Sequence, residues 1–324
     1  MGPMRSAFVT GAYGLLGTSL VRALVHDGVE VTVLRRDATP RSALVLEGLE
    51  AQVNVVTGDL VGAGVVERAL GEYEVDSVFH LAAQTIVGTA NRSPASTWDT
   101  NLRGTWTVLE ACRLHPVARV VVAASDKAYG QHAELPYRED FALQPRYPYD
   151  VSKAATDLIA RSYWHTYELP VATTRFANLY GGGDTNRSRL VPEAIDAALA
   201  GRRPVIRSDG TPERDFLYVD DAVTAYLQIA AALGGDGARG EAFNAGGGEP
   251  HAVREVVERI CAIAGTDVEP DIRGTGTPAG EIDRQYVDTT KLRELTGWQP
   301  EVGLDEGLRR TVAWYREYPT ALGR

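Results

Sequence analysis

The feature that most constrains this chain is a glycine-spaced loop set between a strand-like run and a helix-like run. Residues 6–10, Ser-Ala-Phe-Val-Thr, read as a buried strand, and Leu15 to Val25 as an amphipathic helix. Between them, Gly11, Gly14 and Gly17 stand at GxxGxxG spacing in TGAYGLLG. The first glycine permits a tight turn, the second lets backbone N–H groups approach a pyrophosphate, and the third lets helix pack on strand. Leu15 and Leu16 belong to the same turn, so Gly11, Gly14, Leu15, Leu16 and Gly17 are candidate dinucleotide-binding residues.

Further strands are expected at Glu30–Leu34, Val53–Val56, Asp76–Leu81, Arg119–Ala124 and Val171–Arg175, with helical runs between them. This alternation predicts an α/β fold with a Rossmann-type doubly wound parallel sheet, its ligands beyond the carboxyl ends of the strands. The second strand runs into Arg35-Arg36-Asp37. Arginines there suit the 2′-phosphate of NADP+, an acidic residue the ribose diol of NAD+, and both cofactors stay open. Asp59, followed by Leu60, suits a hydrogen bond from an adenine amino group or a helix N-cap. Leu81, Ala82 and Ala83 are small enough to let a dinucleotide pass, and Gln84 follows them at the substrate side.

Two clusters carry the chemistry. Tyr149 and Lys153, four apart on one helix, lie on the same face, roughly 5–6 Å apart at Cβ. A phenol is almost fully protonated at neutral pH, and a neighbouring ammonium favours its phenolate. Such a phenolate takes the proton of a sugar or alcohol hydroxyl while hydride leaves the same carbon. Pro148 suits the helix start and Asp150 the positive end of its dipole. Ser125-Asp126-Lys127 falls at the end of the fifth strand, where ligands of such a sheet sit.

A glycine-rich segment after Asn178 marks a boundary. Residues 1–178 are expected to form the dinucleotide-binding domain, receiving about 214–246 as well, and 179–324 a smaller mixed α/β domain that completes a substrate cleft. The 324 residues carry a net charge of −10 without a basic run, which argues against a nucleic-acid surface. Cys112 and Cys261 are the only cysteines, and the six histidines lack metal-ligand spacing, so neither a disulfide framework nor a metal is expected. No apolar run reaches membrane length and no signal-like segment precedes the first strand, so the expected location is cytoplasmic.

TGxxGxxG, Asp59-Leu60, HLAAQ, the helix from Asn101, a serine ending strand five, YxxxK, RDFLYVDD, FNAGGG and Leu295-Thr296-Gly297-Trp298 together resemble the extended short-chain dehydrogenase/reductase family. The likeness covers essentially the whole chain and is specific for nucleotide-sugar epimerases and dehydratases. It implies a tightly held nicotinamide cofactor and an NDP-sugar substrate carrying CDP, dTDP, UDP or GDP. It implies a triad in which Ser125 hydrogen-bonds the reacting hydroxyl, Tyr149 acts as base, and Lys153 holds the nicotinamide ribose and depresses the tyrosine. It also implies that Asn178, Arg189, Leu190, Arg214 and Arg284 contact the diphosphate and nucleoside. Finally it implies a homodimer through the helices from Asn101 and Lys153, with Trp106, Tyr163 and Trp164 as apolar content.

Ser125-Asp126-Lys127-Ala128-Tyr129 and GGGD followed by Arg189-Leu190-Val191-Pro192 resemble the CDP-glucose 4,6-dehydratase branch. The glycine loop is closer to that of epimerases, and Arg35-Arg36 is similar to GDP-mannose 4,6-dehydratases, which use NADP. The reading is therefore an NDP-hexose 4,6-dehydratase, with Asp126 as acid toward the departing C6 hydroxyl and Lys127, or a water it holds, receiving the C5 proton. An NDP-sugar C4 epimerase is the alternative, and a catalytically silent nucleotide-binding protein the remote one.

Overall fold

The computed structural model describes residues 2–62, 64–276 and 282–323. In chain order it begins with β1 (Ser6–Thr10), α1 (Leu15–His26), β2 (Glu30–Arg35), α2 (Ala43–Leu46), β3 (Asn54–Thr57), α3 (Val65–Glu72) and β4 (Ser77–His80). It continues through α4 (Val87–Arg92), α5 (Pro94–Trp98), α6 (Gly104–Leu114), β5 (Arg119–Ala123), α7 (Pro148–Tyr167) and β6 (Val171–Phe176). Then follow β7 (Asn178–Tyr180), α8 (Leu190–Leu199), β8 (Val205–Ile206), β9 (Glu213–Tyr218), α9 (Val219–Ala232) and β10 (Ala242–Ala245). The last elements are β11 (Pro250–Ala252), α10 (Val253–Ile263), β12 (Asp271–Ile272), β13 (Arg284–Gln285), α11 (Thr290–Thr296) and α12 (Leu304–Glu317).

Seven strands form one parallel sheet in the order β10-β6-β5-β4-β1-β2-β3. Strands covered on both faces read as continuous apolar runs, and every residue of β1 and β6 is buried. Alternate side chains divide between two cores. Ala7 and Val9 pack under α1 and α9, while Phe8 faces the side of α3, α6 and α7. Strand order reverses between β1 and β4, and a doubly wound sheet opens its ligand crevice at such a point.

The smaller lobe is built on β11-β9-β13, with β7 also paired to β9, and on the β12-β8 pair. Tyr180, Ile195, Phe216, Val256, Ile260, Leu308 and Val312 form its core. The segment expected to rejoin the main sheet from about residue 214 divides in three. β9 belongs to the small sheet, α9 packs against α1, and β10 alone pairs with β6. Among the described residues no helix is long and apolar enough to cross a membrane.

Candidate active site

A cleft of about 1120 Å³ lies between the carboxyl ends of the sheet and the smaller lobe. Gly11 (φ 72°) turns the chain out of β1, and a Cβ there would lie 2.7 Å from the backbone nitrogen of Ala82. A Cβ on Gly17 would run into the backbone of Gly11 and Ala12, so helix and strand touch there as the motif requires. Gly14, the N-cap of α1, is different: its Cβ would meet only the Gly11 carbonyl, at 3.5 Å, and no side chain caps the helix. The positive end of α1 thus faces the cleft with open backbone N–H groups, and a pyrophosphate fits that cradle. Leu15, Leu16, Arg36, Asp37, Asp59, Leu60, Leu81, Ala82 and Ala83 continue the same wall.

At the far end, Pro148 occupies the first turn of α7 and presents Tyr149 and Lys153 to the cleft. Lys153 is buried, its Nζ donates to the Ala123 carbonyl at 2.8 Å, and burial pushes its ammonium down to about 8. Burial pushes the Tyr149 phenol up to about 12; Arg189 pulls it down most, and a hydrogen bond with Ser125 also lowers it. In the protein alone Arg189 is thus the cation that pulls hardest on the phenol. Arg189 is held by Asp184 at 2.9 Å and by the Thr85 hydroxyl at 3.1 Å.

Ser125, extended at the end of β5, accepts the Lys127 backbone N–H at 3.2 Å and donates its hydroxyl to Asp126 Oδ1 at 3.0 Å. Asp126 is only 3% exposed and its Oδ2 has no hydrogen-bond partner. Burial pushes its carboxyl upward, against the pull of Lys127, Ser125 and Arg214. Lys127 Nζ donates to Oε1 of the buried Gln285 at 2.7 Å. The turn that carries these groups is anchored from below. The Tyr129 hydroxyl donates to Asn244 Oδ1 at 2.8 Å and accepts from Arg175 at 3.1 Å, while Arg175 grips buried Asp157 with two bonds of 2.9 Å.

Among the predicted site residues, Asn178, Leu190 and Arg214 line the smaller-lobe side of the cleft. Arg214 also binds the Glu213 and Asp283 carbonyls, at 2.9 and 3.0 Å. Three others sit elsewhere. Arg35 turns away to Glu50 (3.3 Å) and Thr57 (3.3 Å), because a carboxylate stands on the far side of its strand end. Arg284 is an exposed partner of Glu213 at 2.6 Å. Gln84 braces the backbone instead: its N–H donates to Asn101 Oδ1 at 2.7 Å, and its Oε1 accepts from Ile86. Of the expected dimer residues Trp106 is 46% exposed, whereas Tyr163 bonds Glu110 and Trp164 packs beneath Arg239.

Sequence reasoning missed three groups. Asp150 lines the cleft, and burial pushes its carboxyl up to about 6. Asp215, pushed up to about 7 by burial, accepts the Gly247 N–H at 2.6 Å. Gln285 arrives from β13 with no sequence signal at all. Asp150 had a signal in its place beside Tyr149, which the ordinary preference for an acid in a first helical turn absorbed.

Residues 7–246 match the profile of the NAD dependent epimerase/dehydratase family. A UDP-glucose 4-epimerase of Mycolicibacterium smegmatis is 33% identical, over 95% of this chain and 97% of its own. A dTDP-glucose 4,6-dehydratase of Xanthomonas campestris is 32% identical, over 96% and 93%. The crystal structure of dTDP-glucose 4,6-dehydratase from Bacillus anthracis in complex with NAD superposes with a TM-score of 0.86 at 28% identity, covering 98% of this chain and 99% of that one.

Proposed function

This chain belongs to the NAD-dependent epimerase/dehydratase family, and we propose that within it the chain is an NDP-hexose 4,6-dehydratase. One observation carries the reading: a buried carboxyl, Asp126, with an unpartnered oxygen at the cleft, beside Ser125 and Tyr149. Burial pushes its carboxyl upward, toward the protonated form an acid needs to protonate a departing hydroxyl.

A nicotinamide cofactor, held along the Gly11–Gly17 loop and beside Lys153, would supply a reversible acceptor for the hydride exchanged between C4 and C6. The residues do the rest. Ser125 orients the C4 hydroxyl, Tyr149 takes its proton, and Arg189 stabilises the phenolate. Asp126 gives its proton to the C6 oxygen as that group leaves as water. Asn178, Arg189 and Arg214 hold the diphosphate and nucleoside. NAD+ suits the wall better than NADP+, because Arg35 is engaged by Glu50 and Arg36, which lines the wall, is paired with Asp37 at 2.7 Å. The buried, unpaired Cys112 and Cys261 support a reducing, cytoplasmic location.

A C4 epimerase is the second reading, supported by the epimerase among the relatives. Incubation with CDP-, dTDP-, UDP- and GDP-hexoses, followed by mass, separates the two. The dehydratase predicts loss of one water from one substrate. An isomer of unchanged mass would replace it with the epimerase.

A further inference from the structure

We propose that Asp150, the residue after the catalytic tyrosine, is the base that removes the C5 proton, and that Lys127 stays protonated as the cation between two carboxyls. The assignment rests on the dehydratase reading and divides the elimination differently from the sequence expectation, which gave the C5 proton to Lys127.

Three observations lead to it. Asp150 opens onto the same cleft as Tyr149, Asp126 and Lys127, so its carboxyl borders the space in which those groups meet a substrate. It is 7% exposed and makes no hydrogen bond or ion pair with a described residue, although it feels Lys127 and Asp126 electrostatically. A buried carboxylate without a donor holds its proton-accepting capacity ready, and desolvation strengthens it as a base. Lys127, in contrast, spends a proton on the Gln285 carbonyl oxygen at 2.7 Å. That bond, with Asp126 and Asp150 nearby, favours the ammonium, and an ammonium cannot accept a proton.

Burial separates the two carboxyls. Asp126 is the deeper, 3% exposed with one oxygen unpartnered, whereas Asp150, 7% exposed, is pushed up to about 6 and is mostly ionised at neutral pH. The step balances. Asp150 takes the C5 proton from the 4-keto sugar, and the C5–H electron pair becomes the C5=C6 bond. The C6–O bond breaks, and its oxygen leaves as water with the proton from Asp126. Asp150 then holds one proton and Asp126 one negative charge. As hydride returns to C6, Asp150, its proton exchanged with solvent, reprotonates C5 and is restored, and Asp126 regains its own proton from water.

The test uses the full-length enzyme with cofactor and its NDP-hexose, in D2O, with quenched samples read by mass. Asp150→Asn should still oxidise C4, so that the 4-keto hexose with its C6 oxygen intact accumulates. Water loss and deuterium entry at C5 should fall at least about 10²-fold. Asp150→Glu should restore both in part, and Lys127→Met should retain C5 exchange. Water loss by Asp150→Asn close to the wild-type rate overturns the assignment. So does a loss of C4 oxidation as large as the loss of elimination, or loss of C5 exchange in Lys127→Met alone. A wild type that releases no water from any hexose overturns the dehydratase reading and this assignment with it.

Discussion

Asp215 shows how the residues around this cleft are held out of their ordinary ionisation. Its carboxyl is almost wholly buried and accepts the Gly247 N–H, yet burial raises it to about 7. The folded chain therefore keeps a proton there that the unfolded chain releases near 4. Between about pH 4 and 7 the folded state binds more protons, so this group's contribution to stability falls as pH rises through that window. Asp150 adds the same sign up to about 6. Asp215→Asn keeps an acceptor for Gly247 and has no charge to bury. Its melting temperature relative to wild type is expected to be higher at pH 8 than at pH 5, and thermal scans at the two values check the difference. Tyr149 is the counterpart. Bringing its phenol from about 12 to neutrality takes roughly 7 kcal/mol at about 1.4 kcal/mol per tenfold, far more than one arginine supplies from the edge of the cleft.

At the scale of elements, the site depends on how α7 is fixed against the loop after β4. The link is Asn101, buried in a π-helical turn, Asp99–Arg103, that leads into α6. Its Nδ2 donates to Ser152 Oγ at 2.8 Å, and Ser152 donates to the Tyr149 carbonyl at 2.6 Å. Its other bonds reach the backbone of Gln84. π-helical turns break the regular ladder and recur at functional sites, and this one turns a side chain toward the catalytic helix. Asn101→Ala strands buried partners on both sides and is expected to cost about 1–3 kcal/mol, read by urea titration, with a larger fall in kcat than in KM. Much of this element-level frame was legible in the chain. GxxGxxG and the strand-helix alternation gave the sheet, and YxxxK gave the tyrosine and lysine. What the chain hid were contacts between distant elements. Lys127 meets Gln285 across 158 positions, and Arg35 is captured by Glu50 from the next helical segment, neither of which local periodicity encodes. Nor does anything local show that Lys153 donates to a strand carbonyl, that of Ala123.

For the whole molecule, one outer surface stands out. Trp106 on α6 and Val151 and Leu158 on α7 are exposed on adjacent packed helices. A second copy covering this stripe would bury the apolar area that a stable interface needs, and a homodimer is the expected state. Leu158→Glu is expected to yield monomers by light scattering while leaving the cleft, on the opposite side of α7 from Leu158, intact. Unchanged dimers would place the interface elsewhere.

The strand order has a last consequence, in the time domain. The edge strand β10 is supplied by residues 242–245, after the chain has already left to build β7, α8 and β9. Trp298, 2% exposed, then closes the core beneath α9, donating its indole N–H to the Asp221 carbonyl at 3.0 Å. A ribosome must therefore deliver about three-quarters of this chain before β6 obtains its last neighbour, and about nine-tenths before α9 is covered. Until then β6 presents an open edge and α9 an uncovered face. The nascent chain is thus exposed to aggregation for most of its synthesis, and chaperone protection matters most before residue 298 emerges.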